Sequence, residues 1–142
     1  MKLIGFGTVG SGILSDKSLG RSGNLSKREQ NTSSLRMYSA TAERFCGGDW
    51  SLVSLLLNTM KEIALRKNNP NVSIANVAQR FVLQTEGVGS IIVGVKSANH
   101  VQENLGTYQF KLEEAEMDEL RRIIAKRKGP KGDVWGIERG LV

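Results

Sequence analysis

The run Ser90-Ile91-Ile92-Val93-Gly94-Val95 is apolar without alternation and rich in β-branched residues. A strand with one wet face alternates apolar and polar residues. A continuous run instead suits a strand covered on both faces, as in a parallel sheet flanked by its crossover helices. Such a strand demands neighbours, and one other segment can supply one: Lys2-Leu3-Ile4-Gly5-Phe6, which leads into a glycine-rich turn. Between these runs a long loop comes first and then segments whose apolar period is helical, as it is again after the second run. Strand, helices, strand, helix describes parallel α/β, but two strands do not make a sheet that can bury itself.

The helical segments have readable ends. Asp49 or Ser51 can cap a helix in which Leu52, Leu55, Leu56, Met60, Ile63 and Ala64 form the apolar face, ending in Arg66-Lys67 before Pro70. Ser73 caps a second, with Ile74, Val77, Ala78, Phe81 and Val82 on one side and a stop near Gly87. A short helix is expected from about Ala98 to Leu105. The last, from about Leu112 to Arg127, has Glu113, Glu114 and Glu116 at its start and Lys126, Arg127 and Lys128 at its end, which complements the helix dipole. Residues 15–48 show no sustained period and read as a long loop. Gly132 to Val142 reads as a tail with one large anchor, Trp135.

Composition excludes several classes. The 142 residues include one Cys and one His, too few for a disulfide scaffold or for the roughly four ligands of a structural zinc site. Cys46 has no evident base beside it and is a poor candidate nucleophile. No apolar stretch approaches the ~20 residues of a membrane helix, and the N-terminal residues run into Gly5 without a signal-type apolar region. The expectation is a cytoplasmic protein with no membrane contact and no metal. The formal charge is +6, but residues 1–48 hold 7 basic and 3 acidic side chains while the remainder is nearly balanced. The excess falls in a loop with few aromatic rings, so nucleic acid is not expected as a partner.

Gly5-Phe6-Gly7-Thr8-Val9-Gly10 fits the G-x-G-x-x-G pattern of dinucleotide-binding turns. That reading requires a helix directly after the glycines, a second strand, and an acidic residue about 20 positions on. The sequence after Gly10 offers polar loop instead, so a Rossmann dehydrogenase fragment is the lesser alternative.

A longer pattern covers more of the chain. Asn71 to Gln84 (NVSIANVAQRFVLQ), Ser90 to Ser97 (SIIVGVKS), His100 to Gly106 (HVQENLG) and Phe110-Lys-Leu-Glu-Glu follow one another in an order that resembles the C-terminal part of the aldo-keto reductases. Ile4 to Lys17 is similar to that family's seventh barrel strand and its loop. The resemblance implies a partial (β/α)8 TIM barrel, mostly helical with two short parallel strands: residues 1–110 as the C-terminal part of the barrel and 111–142 as the closing helix and tail of the same domain. It also implies NADPH as cofactor and, in a complete protein, a small carbonyl substrate.

Residue by residue, Phe6 would take the place of the ring stacked on the nicotinamide. Gly7, Thr8 and Val9 would lie along the pyrophosphate, with Lys17 as its cation. Gly94, Lys96, His100, Glu103 and Asn104 match positions holding the adenosine end, with Lys96 on the 2′-phosphate and Glu103 and Asn104 on the adenine edge. Each also has a plainer reading: Phe6 as core, Lys17, Lys96 and His100 as surface groups, Asn104 as bonding within its helix.

The family's catalytic tyrosine, lysine, aspartate and histidine match nothing here, and a full barrel takes about 250 residues. The chain is therefore expected to hold cofactor without turning over an aldehyde, either as part of a reductase or as an independent nucleotide-binding or interaction module. Unpaired strand edges are expected to promote self-association.

Overall fold

A computed structural model describes residues 1–130; the expected tail with Trp135 lies outside the described residues. The chain is mostly helical with one two-stranded parallel sheet. Strand β1 is Leu3–Gly5, followed by single turns of 3-10 helix at Gly10–Gly12 and Asp16–Ser18. Helices α1 (Ser33–Cys46), α2 (Ser51–Arg66) and α3 (Ile74–Gln84) come next. Strand β2 (Val88–Ile91), α4 (Ala98–Leu105) and α5 (Glu114–Ile124) complete the order.

The expected loop over 15–48 is corrected by α1. Its signals were present at both ends: Thr32 Oγ1 accepts the Leu35 amide at 3.1 Å, and Gly47 ends the helix at φ +62°, a left-handed position glycine takes without strain. The period was hidden because the buried face carries Ser39 and Cys46, small residues that an apolar count passes over. The preceding loop is tied down by Arg21, which donates to both Glu29 carboxylate oxygens at 2.9 and 3.1 Å, and by Asn24, which donates to the Ser39 carbonyl at 2.8 Å.

The core is helical. Val53, Leu56, Leu57, Met60, Ile63 and Ala64 of α2 pack against Ile74, Val77 and Ala78 of α3 and Met117, Leu120 and Ile123 of α5. Leu55, expected on this face, is exposed and Leu52 only half-buried. The buried row 53, 56, 57, 60, 63, 64 is the one that keeps a single helical stripe. Of the two cap candidates for α2, neither residue occupies the N-cap position, which is Trp50; Asp49 accepts the Ser51 amide at 3.0 Å. Ser73 caps α3 with a reciprocal bond from Asn76, as expected of a capping box. Lys67 at the end of α2 and Glu116 at the start of α5 pair across the helix junction.

The sheet corrects the strongest expectation. β1 and β2 are parallel, with Leu3 beside Val88, Ile4 beside Ser90 and Gly5 beside Ile91. Strand pairing stops at Ile91, and the Ile92 amide makes a last bond to the Gly5 carbonyl at 2.7 Å. The run 92–95, predicted as doubly covered strand, is outside the strand, and Ile92 is 63% exposed. One side of the sheet lies so close to α3 that a Cβ on Gly5 would come within 3.0 Å of Val82. The other side is bare among the described residues. The physical reason is neighbour count: a run can be buried on both sides only if further strands and a second layer are there to bury it.

Candidate functional site

The segment after β1 is a chain of turns. Gly7, Gly10 and Gly12 all have positive φ, and a Cβ on Gly7 would overlap the Tyr38 hydroxyl and approach the ring carbon Cζ to 2.8 Å. Glycine at position 7 therefore has two causes, the left-handed backbone and the ring of α1 behind it. Among the described residues the amides of Gly7, Thr8 and Val9 donate no hydrogen bond. Phe6, just past the strand, is 68% exposed, which removes its reading as core; Thr8 is buried and Val9 half-buried. Only a single 3-10 turn and no α-helix directly follows Gly10, and β1 pairs with β2 rather than with a strand near residue 30, so the architecture is not that of a dinucleotide fingerprint.

Further along, Asp16 does work the sequence reading did not assign to it. One carboxylate oxygen accepts Lys61 Nζ of α2 at 2.8 Å, and the other accepts the Ile74 amide, the first of α3, at 3.1 Å. The 3-10 turn Asp16–Ser18 is thereby pinned to two helices, and its neighbour Lys17 is exposed beside the N-terminus of α3. The signal available in sequence was slight: an acid one residue before a lysine, with a helix start 58 positions later.

The segment 94–104 folds on itself. The Lys96 amide donates to His100 Nδ1 at 3.0 Å, His100 Nε2 lies 4.0 Å from a Glu103 carboxylate oxygen, and Asn104 Nδ2 donates to the Gly94 carbonyl at 3.4 Å. His100 thus orders its own turn. Asn104 Oδ1 accepts Gln79 Nε2 of α3 at 2.8 Å, so this side chain joins α4 to α3 rather than bonding within its own helix. The same buried network holds Thr107, which donates to Gln79 Oε1, and Asn76, which donates to the Glu103 carbonyl at 2.8 Å and to Thr107 Oγ1 at 3.0 Å.

These two halves meet across a cleft of about 590 Å³ at the N-terminal end of α3, lined by Asp16 and Lys17 on one wall, Asn71 and Ser73 on its floor, and Glu103 and Asn104 on the other wall. Lys17, Glu103 and Asn104 are brought together; Phe6, Gly7, Thr8, Val9, Gly94, Lys96 and His100 lie outside the cleft lining. Chemically the cleft offers the Lys17 cation, the Asp16 and Glu103 carboxylates, the Asn104 amide and a helix N-terminus whose first amide is already taken by Asp16. That set suits a ligand with both a phosphate and a polar planar edge. A smaller apolar recess of about 210 Å³ lies between Ile91, Val93 and Val95 and the α4 side chains Val101 and Leu105.

Among the described residues no three His, Cys, Asp or Glu side chains are grouped to hold a metal, and no helix is long and apolar enough to cross a membrane. Tyr38 stands behind Gly7, and Tyr108 is exposed beside the apolar recess. The Aldo/keto reductase family pattern matches residues 1–125. No curated protein matches the chain significantly.

Proposed function

The chain belongs to the aldo/keto reductase family, and from that premise we propose that it is the cofactor-holding end of an NADPH-dependent carbonyl reductase and lacks the catalytic groups. NADPH, when bound, supplies the hydride for reducing a carbonyl to an alcohol. The observation that carries the reading is the cleft in which Lys17 faces Glu103 and Asn104.

In this reading Lys17 holds the pyrophosphate with the free amides of the Gly7–Val9 turn, and Glu103 and Asn104 receive the adenine edge. Lys96, exposed at the start of α4, holds the 2′-phosphate. Phe6 offers an exposed flat face at the end of β1, where the nicotinamide would stack. The side-chain network of Gln79, Asn76 and Thr107 fixes the α4 wall against α3, so this wall is preformed. Such placement after the strand ends follows the rule for barrels of this type. Asp16 and Glu103 also bring negative charge to the cleft, so the lysines must dominate for a phosphate ligand to bind.

Calorimetric titration with NADPH and NADH tests the reading. Wild type should bind NADPH more tightly. Lys96→Met should weaken NADPH by about 10- to 100-fold, the range for one charge-assisted hydrogen bond, and leave NADH nearly unchanged. Lys17→Met should weaken both. Equal affinity of the wild type for the two cofactors, or no binding of either, would sink it.

The closed helical core, in which Ile63, Ile74, Val77 and Leu120 are fully buried, favours a second reading as a self-standing, non-catalytic nucleotide-binding module. NADPH binding by a cooperatively unfolding chain, with no aldehyde-dependent oxidation of NADPH, would support it.

A further inference from the structure

Tyr38 carries a hydroxyl that the fold does not use. The residue stands in the second turn of α1, half-buried, with its ring packed against the helical core. Its oxygen has no hydrogen-bond partner among the described residues, and it is not sealed from water. A phenol can donate one hydrogen bond and accept others, and here it does neither within the protein.

The ring is nevertheless aimed. A Cβ on Gly10 would lie 3.9 Å from Tyr38 Cβ and Cδ1, and a Cβ on Gly7 would overlap the hydroxyl oxygen. The side chain therefore runs along the turn after β1, with its base at Gly10 and its tip against Gly7. Any larger residue at position 7 would push that tip away. Helix α1 is itself held in place beside the turn: Asn24 Nδ2 donates to the carbonyl of Ser39, the next residue, at 2.8 Å and to Glu43 Oε2 at 3.2 Å. The hydroxyl is thus presented at a fixed place by a side chain with two rotatable bonds.

That place is rich in donors. The amides of Gly7, Thr8 and Val9 are three successive N–H groups without an acceptor, and none of them bonds the Tyr38 oxygen. Donors that find no acceptor inside a protein suit an anion, whose oxygens accept from several at once. Turn and ring both belong to residues 7–38 and lie past the end of β1, so their meeting does not depend on what borders the sheet.

We propose that Tyr38 is a further ligand-binding residue, whose hydroxyl donates to a pyrophosphate oxygen held at the same time by the Gly7–Val9 amides. The inference rests on the reading of the chain as an NADPH-holding one and adds to it a contact from α1. Because the phenol is neutral and meets the pyrophosphate, it strengthens NADPH and NADH equally, whereas Lys96 separates them. The ligand then joins the turn after β1 to α1 through one side chain.

Calorimetric titration of the full chain with NADPH, NADH and adenosine 2′-monophosphate tests it, with Tyr38→Phe as the variant that keeps the ring and removes only the hydroxyl. Tyr38→Phe should weaken NADPH and NADH alike, by about tenfold or more, the range for a hydrogen bond to a charged acceptor. Adenosine 2′-monophosphate has no pyrophosphate, so its affinity should not change. The urea unfolding midpoint without ligand should not change either, because the hydroxyl bonds nothing in the protein. A wild type that binds NADPH and a Tyr38→Phe variant that binds it equally well overturn this inference and leave the cofactor reading standing. A variant that weakens adenosine 2′-monophosphate as much as NADPH, or that lowers the unfolding midpoint, overturns it as well, since the hydroxyl would then be supporting the fold. A wild type that binds neither dinucleotide overturns the inference and the cofactor reading together.

Discussion

Replacing Asp16 with alanine removes two interactions that share one carboxylate. The bond to Lys61 Nζ at 2.8 Å joins side chains that are each more than a third exposed, so it contributes about 0.2–1 kcal/mol after solvent screening. The bond to the Ile74 amide at 3.1 Å satisfies a donor at the first turn of α3 that the helix itself cannot satisfy, and loss of such a cap costs about 0.5–2 kcal/mol. Together they give a loss of about 1.5 kcal/mol and a fall in Tm of roughly 5 °C for a chain of this size.

Urea unfolding followed by far-UV circular dichroism would measure it, with Lys61→Met as the partner variant that removes only the ion pair. Lys61→Met should cost less than half as much as Asp16→Ala. Asp16→Asn should fall between, because the amide oxygen can still accept from Ile74. The reasoning is refuted if Asp16→Ala matches wild type, or if Lys61→Met reproduces its whole effect, since the cap would then contribute nothing.

Gly7→Ala combines left-handed strain of about 1–2 kcal/mol with collision against the Tyr38 ring, so a total loss above about 2 kcal/mol is expected in the same assay. Tyr38→Ala in the Gly7→Ala background should recover the steric part only. Asn104→Ala leaves the buried Gln79 amide without its acceptor and should cost about 1–3 kcal/mol in the absence of any cofactor, which separates its structural role from its proposed contact with adenine.

Acid should destabilise the fold through three carboxyls. Hydrogen bonds from Arg21 and the Ser26 amide hold Glu29 down to about 2. The Ser51 hydroxyl and amide lower Asp49. Burial pushes Glu116 up, but the Lys67 ammonium, the Glu113 amide and the Arg66 charge outweigh it and leave it low. A depressed folded pKa means that the unfolded chain takes up protons first. The contribution is complete above about pH 5 and is lost as pH falls through 4.5 toward 2. The urea midpoint should therefore drop between pH 5 and pH 3 with no matching change from these groups between pH 7 and pH 5.

How much of this was legible depended on whether the cause was local. The helix around Ser73 and the charges around the last helix could be read because caps and dipole complements lie within a few residues of the ends they stabilise. Helix α1 is signalled locally by Thr32 and Gly47, but its buried face carries serine and cysteine, so it shows no apolar period. The order of motifs from Ile4 to Glu114 carried the family. None of these needs a third dimension.

Other features were decided by tertiary structure. Asp16 acquires its role only because the fold brings Lys61 and Ile74 to it, 45 and 58 residues away. The cleft exists because the turn after β1 and helix α4 face each other across the start of α3. The sequence alone determined that residues 90–95 favour strand, since β-branching is a property of each residue. Only the tertiary structure decided that pairing stops at Ile91, since burial belongs to neighbours, and the described residues supply one strand beside β2 and none beyond it.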